Sequence, residues 1–246
     1  MTYTLKVLLA GCSGSGKTTT LLRCCGERSN LFGEQKREPS EEEKKAWNMK
    51  SGQVSTTTFP NHGTFLIVYD KTNDNYTIIH DESQNNIREK LEILMVDTCG
   101  QEIFYQYRKG HSFGADGILF LIDGSLDATR ANILNVINAY TELRSFYQGK
   151  LFPPVVFICN KQDLWQKARI DAGVKGRELF YQKILTSQDK EFGKLPFIGA
   201  SAKFGWGIDV AIDILFKEIL KGPLKKIKPF LIKKKPENCF YKAEMR

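Results

Sequence analysis

The sequence predicts an α/β protein with a doubly wound, mainly parallel six-stranded sheet and helices on both faces. Two observations indicate this fold class. Short apolar runs alternate along the 246-residue chain with segments of helical periodicity. Three of those runs are apolar at nearly every position, as expected of strands that are covered on both faces. In such a sheet the binding site belongs at the carboxyl ends of the strands.

Six strands and four helices follow from this alternation. The strands are expected at residues 4–11, 64–69, 91–97, 117–123, 155–160 and 196–201. The helices are expected at residues 18–25, 127–147, 177–186 and 207–220. A possible extra strand at residues 76–80 follows the turn cluster KTNDN and suggests an enlarged hairpin.

We expect one domain over residues 1–220, with insertions at about 27–50 and 70–90, and a basic tail over 221–246. Residues 27–50 hold six acids and six bases, so they lack the apolar surface of a core segment and predict an excursion or an external helix. The tail has nine Lys/Arg and two Glu, a net +7, which leaves +1 of the total +8 on the body. A basic docking face for nucleic acid is therefore not expected on the body, and the protein is expected to be monomeric.

Composition and cysteine usage favour a cytoplasmic location. No apolar run approaches the ~18 to 20 residues that span a bilayer, and no cleavage site follows the N-terminal strand. The six cysteines form no CxxC pair, which favours reduced thiols. The basic tail could make a weak peripheral contact with anionic membranes, although a solvated extension is the favoured interpretation.

The segment GCSGSGKT matches GxxxxGK[ST] between a predicted strand and a predicted helix, which argues against a chance Gly/Ser-rich turn. Its glycines let the backbone N–H groups and the positive end of the helix face phosphate oxygens. We expect Lys17 to reach the β- and γ-phosphates and the Thr18 hydroxyl to bind Mg²⁺. The motif predicts a P-loop NTPase whose phosphate-binding residues are Gly11, Ser13, Gly14, Ser15, Gly16, Lys17, Thr18 and Thr19.

The segment NKQD follows the strand at 155–160 and indicates a guanine base. The Asp163 carboxylate can accept from both N1–H and the exocyclic amine of guanine. Adenine presents an acceptor at N1 and no amine at C2, so it would leave the carboxylate unmatched. Asn160 would support the loop, and the stem of Lys161 would pack over the ring. Taken alone, NKQD could be a polar loop, but the P-loop upstream favours the base-binding interpretation.

The segment DTCGQE follows the strand at 91–97 and supplies the candidate hydrolytic residues. Asp97 is expected to hold Mg²⁺ through water, and the Gly100 N–H to meet the γ-phosphate. Gln101 is placed to orient the attacking water. On its own the segment could equally be a polar turn.

Two weaker segments complete the predicted site. In STTTF, one of Thr56, Thr57 and Thr58 could supply a second Mg²⁺ ligand. Thr58 is chosen because an apolar residue follows it, although the threonines could simply begin the next strand. In GASAK, the Ala202 N–H could donate to guanine O6, and Ser201 and Lys203 are its neighbours in the predicted site.

In their order along residues 3–220, these motifs resemble those of the Ras-like small GTPases. The stretches GADGILFLID and LFPPVVFICNKQDL are similar to the Arf-like branch and its MglA-type relatives, whereas DTCGQE is similar to Ras. The resemblance implies a GTP/GDP switch of signalling or trafficking type. Such switches cycle slowly alone and are driven by exchange proteins, activating proteins and effectors at the switch loops.

Two departures from the family pattern affect the expected activity. Lys17 and Thr58 are 41 positions apart, so the first switch carries an insertion. Ser13 stands where Ras-type members have glycine and could crowd the attacking water.

Taken together, the motifs predict a monomeric GTPase that hydrolyses GTP to GDP and phosphate with Mg²⁺, with Gln101 and Lys17 as catalytic residues. The alternative is a catalytically weak or inactive scaffold module that binds GTP or GDP.

Overall fold

The computed structural model describes residues 2–31, 34–38, 41, 44, 54–57, 60–70, 75–79, 90–98, 105–126, 129–164 and 177–221. Its strands are β1 (Thr2–Gly11), β2 (Ser29–Asn30), β3 (Glu34–Arg37), β4 (Val54–Thr57), β5 (Asn61–Asp70), β6 (Asn75–Ile79), β7 (Lys90–Asp97), β8 (Gly117–Asp123), β9 (Val155–Asn160) and β10 (Phe197–Gly199). Its α-helices are α1 (Lys17–Cys25), α2 (Tyr105–Ser112), α3 (Arg130–Ser145), α4 (Arg177–Gln188) and α5 (Ile208–Lys221). Short 3₁₀ turns lie at Gly26–Arg28, Gln162–Leu164 and Lys190–Lys194.

The main sheet has the order β10-β9-β8-β1-β7-β5-β2, with β6 also paired to β5. The strands from β10 to β7 are parallel, and β5 joins β7 antiparallel. The α/β class with a mainly parallel, doubly wound sheet is confirmed, but the described sheet has eight strands and not the predicted six. The long strand β5 is the reason. One edge pairs with β7, and the other has room for both β2 and β6, which satisfy its outer backbone groups.

Helices cover both faces of the sheet because the central strands are apolar on both. In β8, Leu119 and Leu121 pack with α1 and α5 on one face. Ile118 and Phe120 pack with α3 and α4 on the other. Every residue of β8 and β9 is buried, which explains why the sequences of these strands are nearly continuous apolar runs.

Parallel register brings the polar strand ends to one edge of the sheet. Leu9 of β1 lies opposite Asp97 of β7, and Gly11 lies opposite Leu121 of β8. Asp123 of β8 lies opposite Asn160 of β9. Strand β1 also lies between the two halves of the sheet, so the loop after β1 occupies the topological switch point where α/β proteins bind ligands.

Two described features differ from the sequence expectations. Strand β3 lies within residues 27–50, the segment expected to be an excursion or an external helix, and pairs with β4 as a two-stranded sheet apart from the main one. Helix α2 was not predicted; its sequence YQYRKGHS is polar, and Ser112 is its one buried residue. No helix among the described residues is long and apolar enough to cross a membrane. The tail beyond residue 221 lies outside the described residues.

Candidate functional site

The loop between β1 and α1 has the conformation that its glycines require. Gly11, Gly14 and Gly16 all have positive φ angles, of 125°, 73° and 91°. A Cβ added at Gly11 would lie 2.1 Å from the carbonyl oxygen of Leu121, and one at Gly16 would lie 2.3 Å from Asn160 Nδ2. The loop therefore packs closely both on β8 and on the last residue of β9.

Lys17 begins α1, and its ammonium group is held over this loop. The Nζ atom donates to the carbonyl oxygens of Cys12, at 2.8 Å, and Gly11, at 3.2 Å. Lys17 is only 6% exposed. A buried cation lies beside a turn of glycines and a helix N-terminus, which together are the components of a phosphate-binding site.

Thr18 and Asp97 lie side by side where β7 ends. Thr18 Oγ1 donates to Asp97 Oδ2 at 2.6 Å, and Asn61 Nδ2 donates to the same oxygen at 3.3 Å. Asp97 is fully buried, and its Oδ1 atom has no hydrogen-bond partner among the described residues. Burial raises the pKa of the Asp97 carboxyl, while the Lys17 charge and the bonds from Thr18 and Asn61 oppose that shift.

The Thr18 hydroxyl and the Asp97 carboxylate are oxygen ligands of the kind that Mg²⁺ binds. The cation prefers oxygen ligands and usually keeps several waters, so one hydroxyl and one carboxylate beside bound phosphates are sufficient protein ligands. The unpartnered Oδ1 of Asp97 is a buried acceptor of the kind that a hydrated cation would satisfy. Asn61 was missed in the sequence because no local motif links it to Asp97.

Asn160 connects the phosphate loop to the loop after β10. Its Nδ2 donates to the carbonyl oxygen of Ser15 at 2.8 Å, and its Oδ1 accepts from the Ala202 N–H at 2.8 Å. Asn160 is 1% exposed. The side-chain amide of Asn160 thus joins the predicted phosphate-binding segment GCSGSGKT to GASAK, a segment of the predicted base site.

The Ala202 amide differs from its predicted arrangement. The sequence assigned this N–H to guanine O6, whereas the structure gives it to Asn160 Oδ1. For the Ala202 N–H to donate to guanine, its bond to Asn160 Oδ1 must be shared or broken. The predicted contact with guanine therefore stays a prediction.

Asp163 and Lys161 are positioned by further side chains. Asp163 lies in the 3₁₀ turn after β9, and its Oδ1 accepts from Ser201 Oγ at 2.5 Å. Lys161 has a positive φ of 62°, and its Nζ donates to Asp123 Oδ2 at 2.8 Å. Asp123 is a further site residue that the sequence analysis missed, although it ends the predicted strand at 117–123.

Arg23 is another missed residue. It lies in the last turn of α1. Its Nε donates to the carbonyl oxygen of Ala202 at 3.1 Å, and its Nη2 donates to the carbonyl oxygen of Lys203. Lys203 itself is exposed, with its ammonium 5.5 Å from the centroid of the Phe204 ring.

The structure brings together most of the predicted site residues at the carboxyl edge of the sheet. Ser13 lies in the turn after β1, and Thr19 follows Thr18 in α1. Three predicted residues lie outside the described residues, namely Gly100, Gln101 and Thr58. Thr56 and Thr57 end β4.

Comparison with known families agrees with this geometry. Residues 3–221 match the family model of the elongation factor Tu GTP-binding domain. No curated protein matches the chain. The matched span begins one residue inside β1 and ends with α5, so it includes all the other described strands and helices in full.

Proposed function

Because the chain belongs to the elongation factor Tu GTP-binding domain family, we propose that it is a molecular switch that hydrolyses GTP to GDP and phosphate. The observation that carries the proposal is the bridge made by Asn160. It joins the Ser15 carbonyl of the phosphate loop to the Ala202 amide beside the predicted base site. One nucleotide can therefore contact both loops.

At the phosphate end, Lys17 and the loop amides bind and orient the triphosphate. The ammonium is already held near the loop by two carbonyls, so little side-chain freedom is lost on binding. Its charge offsets the negative charge that develops on the phosphates during transfer.

At the base end, Asp163 selects guanine. Ser201 fixes one carboxylate oxygen without using all of its lone pairs, so the carboxylate can still accept from both N1–H and the 2-amine of guanine. Adenine has neither donor on that edge, so it leaves the carboxylate unmatched and binds more weakly.

Thr18 and Asp97 would hold Mg²⁺, with Thr58 as the proposed further ligand. When bound, the cation neutralises charge on the β- and γ-phosphates. Asn61 and Thr18 keep Asp97 in place by donating to Oδ2.

Hydrolysis proceeds by attack of water on the γ-phosphorus, with cleavage of the bond to the β–γ bridging oxygen and departure of GDP. We assign to Gln101 the orientation of this water and to the Gly100 N–H a contact with the γ-phosphate. A switch that senses the γ-phosphate through this segment can signal nucleotide state to a partner.

We also propose that the chain acts as a small, monomeric cytoplasmic switch near the Ras and Arf-like branches. The order of its motifs and the stretches GADGILFLID and LFPPVVFICNKQDL support this placement. Exchange proteins, activating proteins and effectors are its proposed partners at the switch loops. The small surplus of positive charge on the body, +1, does not favour a nucleic acid as a partner.

Single-turnover hydrolysis of GTP by the full chain with saturating Mg²⁺ tests the proposal. We expect a rate on the order of 10⁻⁴ s⁻¹ without a partner, and at least tenfold less with Gln101→Leu. Gln106→Leu, on the exposed surface of α2, is the matched control and should leave the rate unchanged. Tight GTP binding without turnover above the buffer rate would instead support the scaffold alternative.

A further inference from the structure

The base loop, defined as residues 200–206, is attached to the phosphate-binding unit at two points. Asn160 holds the loop through the Ala202 N–H. Arg23 holds it through the carbonyl oxygens of Ala202 and Lys203. Arg23 belongs to α1, the helix that starts at Lys17, so this second attachment runs directly from the phosphate loop's own helix.

Arg23 is enclosed by the loop that it holds. It is 7% exposed, and a Cβ added at Gly205 would lie 3.5 Å from Arg23 Cδ. A buried guanidinium that donates to backbone carbonyls forms charge-assisted hydrogen bonds, which are stronger than neutral ones. The carbonyls of Ala202 and Lys203, which lie 179 and 180 positions from Arg23 in the sequence, are thus fixed relative to α1.

The base loop is compact enough to move as one piece. Ser201 and Trp206 form an antiparallel bridge, with the Ser201 N–H donating to the Trp206 carbonyl at 3.0 Å. The Phe204 and Trp206 rings stack with centroids 5.0 Å apart. Because the loop is braced internally, a shift at the carbonyls of Ala202 and Lys203 should be transmitted to Ser201.

Ser201 is the residue that positions Asp163. Its hydroxyl donates to Asp163 Oδ1 at 2.5 Å. The contacts therefore form a chain from α1 through Arg23 to the base loop, and from the base loop to the carboxylate that is proposed to accept from guanine.

We propose that Arg23 is a positioning residue that fixes the base loop and thereby sets both the residence time of guanine nucleotides and the discrimination of the 2-amine. The proposal rests on the function proposed above, since it assigns a further residue to the same site. Arg23 acts through Ser201 and Asp163.

The experiment measures dissociation of GDP and of inosine diphosphate, which lacks the 2-amine, from the full chain in excess Mg²⁺. We expect Arg23→Ala to release GDP about tenfold faster and inosine diphosphate only about twofold faster, because guanine has both N1–H and the 2-amine to lose as donors to Asp163, whereas hypoxanthine has only N1–H. Arg23→Lys retains one donor and should lie between Ala and wild type. Arg130→Ala, an exposed arginine at the start of α3, is the control and should match wild type.

The ratio of the two release rates separates positioning from general stability. A loss of stability alone would speed release of both nucleotides equally, and that result, or unchanged release, would overturn the proposal. If Arg23→Ala does not fold, as judged by circular dichroism, the same ratio for Arg23→Lys decides. A wild-type chain that binds no guanosine nucleotide would overturn the proposed function itself, and with it this inference.

Discussion

The two ends of the site differ in how far their polar groups are satisfied by the protein. At the base end, Asn160 uses both its amide nitrogen and its oxygen, and Asp163 accepts from Ser201. At the phosphate end, Ser15 Oγ and Asp97 Oδ1 are buried without a hydrogen-bond partner among the described residues. At the base end, both polar atoms of the buried Asn160 amide are hydrogen-bonded within the protein, whereas at the phosphate end a buried hydroxyl and a buried carboxylate oxygen can bind a ligand.

This difference assigns separate tasks to the two ends. A buried polar atom without a partner costs roughly 1 to 3 kcal/mol, and a ligand that supplies the partner recovers it. Phosphate and Mg²⁺ should therefore stabilise the protein through the phosphate end. The base end is already organised, so it should contribute selectivity more than stabilisation.

The largest effect is expected from Lys17→Ala. Removing the buried ammonium takes away the cation that faces the phosphates, so the affinity for GDP should fall by at least about 100-fold, or roughly 3 kcal/mol. Isothermal titration calorimetry measures this loss of affinity for GDP. Lys183→Ala, an exposed lysine of α4, should bind GDP like the wild type. Equal losses from both substitutions would mean that Lys17 has no special place in the site.

The next effect is a change of base preference on Asp163→Asn. The amide can donate to the carbonyl that xanthine carries at C2, so affinity should shift from GDP towards xanthosine diphosphate by about 100-fold in relative terms. Competition titration with both nucleotides gives the ratio. Asp213→Asn removes a carboxylate that pairs with the exposed Lys217 and should leave the ratio alone. An unchanged ratio for Asp163→Asn would remove this carboxylate from base recognition.

Gly16→Ala tests whether the two ends depend on each other. The new methyl group would meet Asn160 Nδ2 at 2.3 Å, so it should displace Asn160 from both loops and weaken GDP binding roughly tenfold to 30-fold, or about 1.4 to 2 kcal/mol. Gly149→Ala provides the control, because Gly149 has a similar positive φ of 74° but no atom within 4 Å of the added Cβ. Both variants carry backbone strain, but only the first should lose affinity. Equal affinities would show that contact with Asn160 does not connect the ends.

The smallest effect is expected from Asn61→Ala. Asp97 Oδ2 would lose one donor, so the free Mg²⁺ concentration needed to slow GDP release should rise about threefold to fivefold, or roughly 1 kcal/mol. The release rate is measured across a Mg²⁺ titration, with removal by chelator as its lower limit. Asn135→Ala, on the exposed side of α3, is the control. A Mg²⁺ midpoint that does not move would exclude Asn61 from positioning Asp97.

The predictable parts of the fold are those whose burial leaves a local pattern. Strands β8 and β9 have the bounds that the sequence predicts, because both faces are covered and the apolar runs end at polar turns. Strands β2 and β3 have no such pattern. The dipeptide Ser29–Asn30 and the polar segment Glu34–Arg37 are strands because distant segments pair with their backbones. Helix α2 was missed for a related reason, since a polar helix has no apolar stripe to detect.

The site residues likewise fall into those that a local sequence pattern predicts and those that only long-range contacts bring to the site. Motifs identified Lys17, Thr18 and Asp97 because phosphate chemistry requires particular residues at fixed local spacing. Asn61 and Arg23 act on groups 36 and 179 positions away. Only the register of β5 on β7 and the packing of α1 below the base loop bring them into contact with those groups. No spacing rule within a single sequence encodes such a contact.

The proposed function requires that one nucleotide spans the phosphate loop and the base loop, and that the base loop selects guanine. Calorimetric titration of the 246-residue wild-type chain with GDP and, separately, with ADP, both with Mg²⁺, tests this requirement. We predict that GDP binds at least 100-fold more tightly than ADP, because only guanine offers donors to Asp163. Equal affinity for the two nucleotides, or no binding of either, would contradict the proposed function.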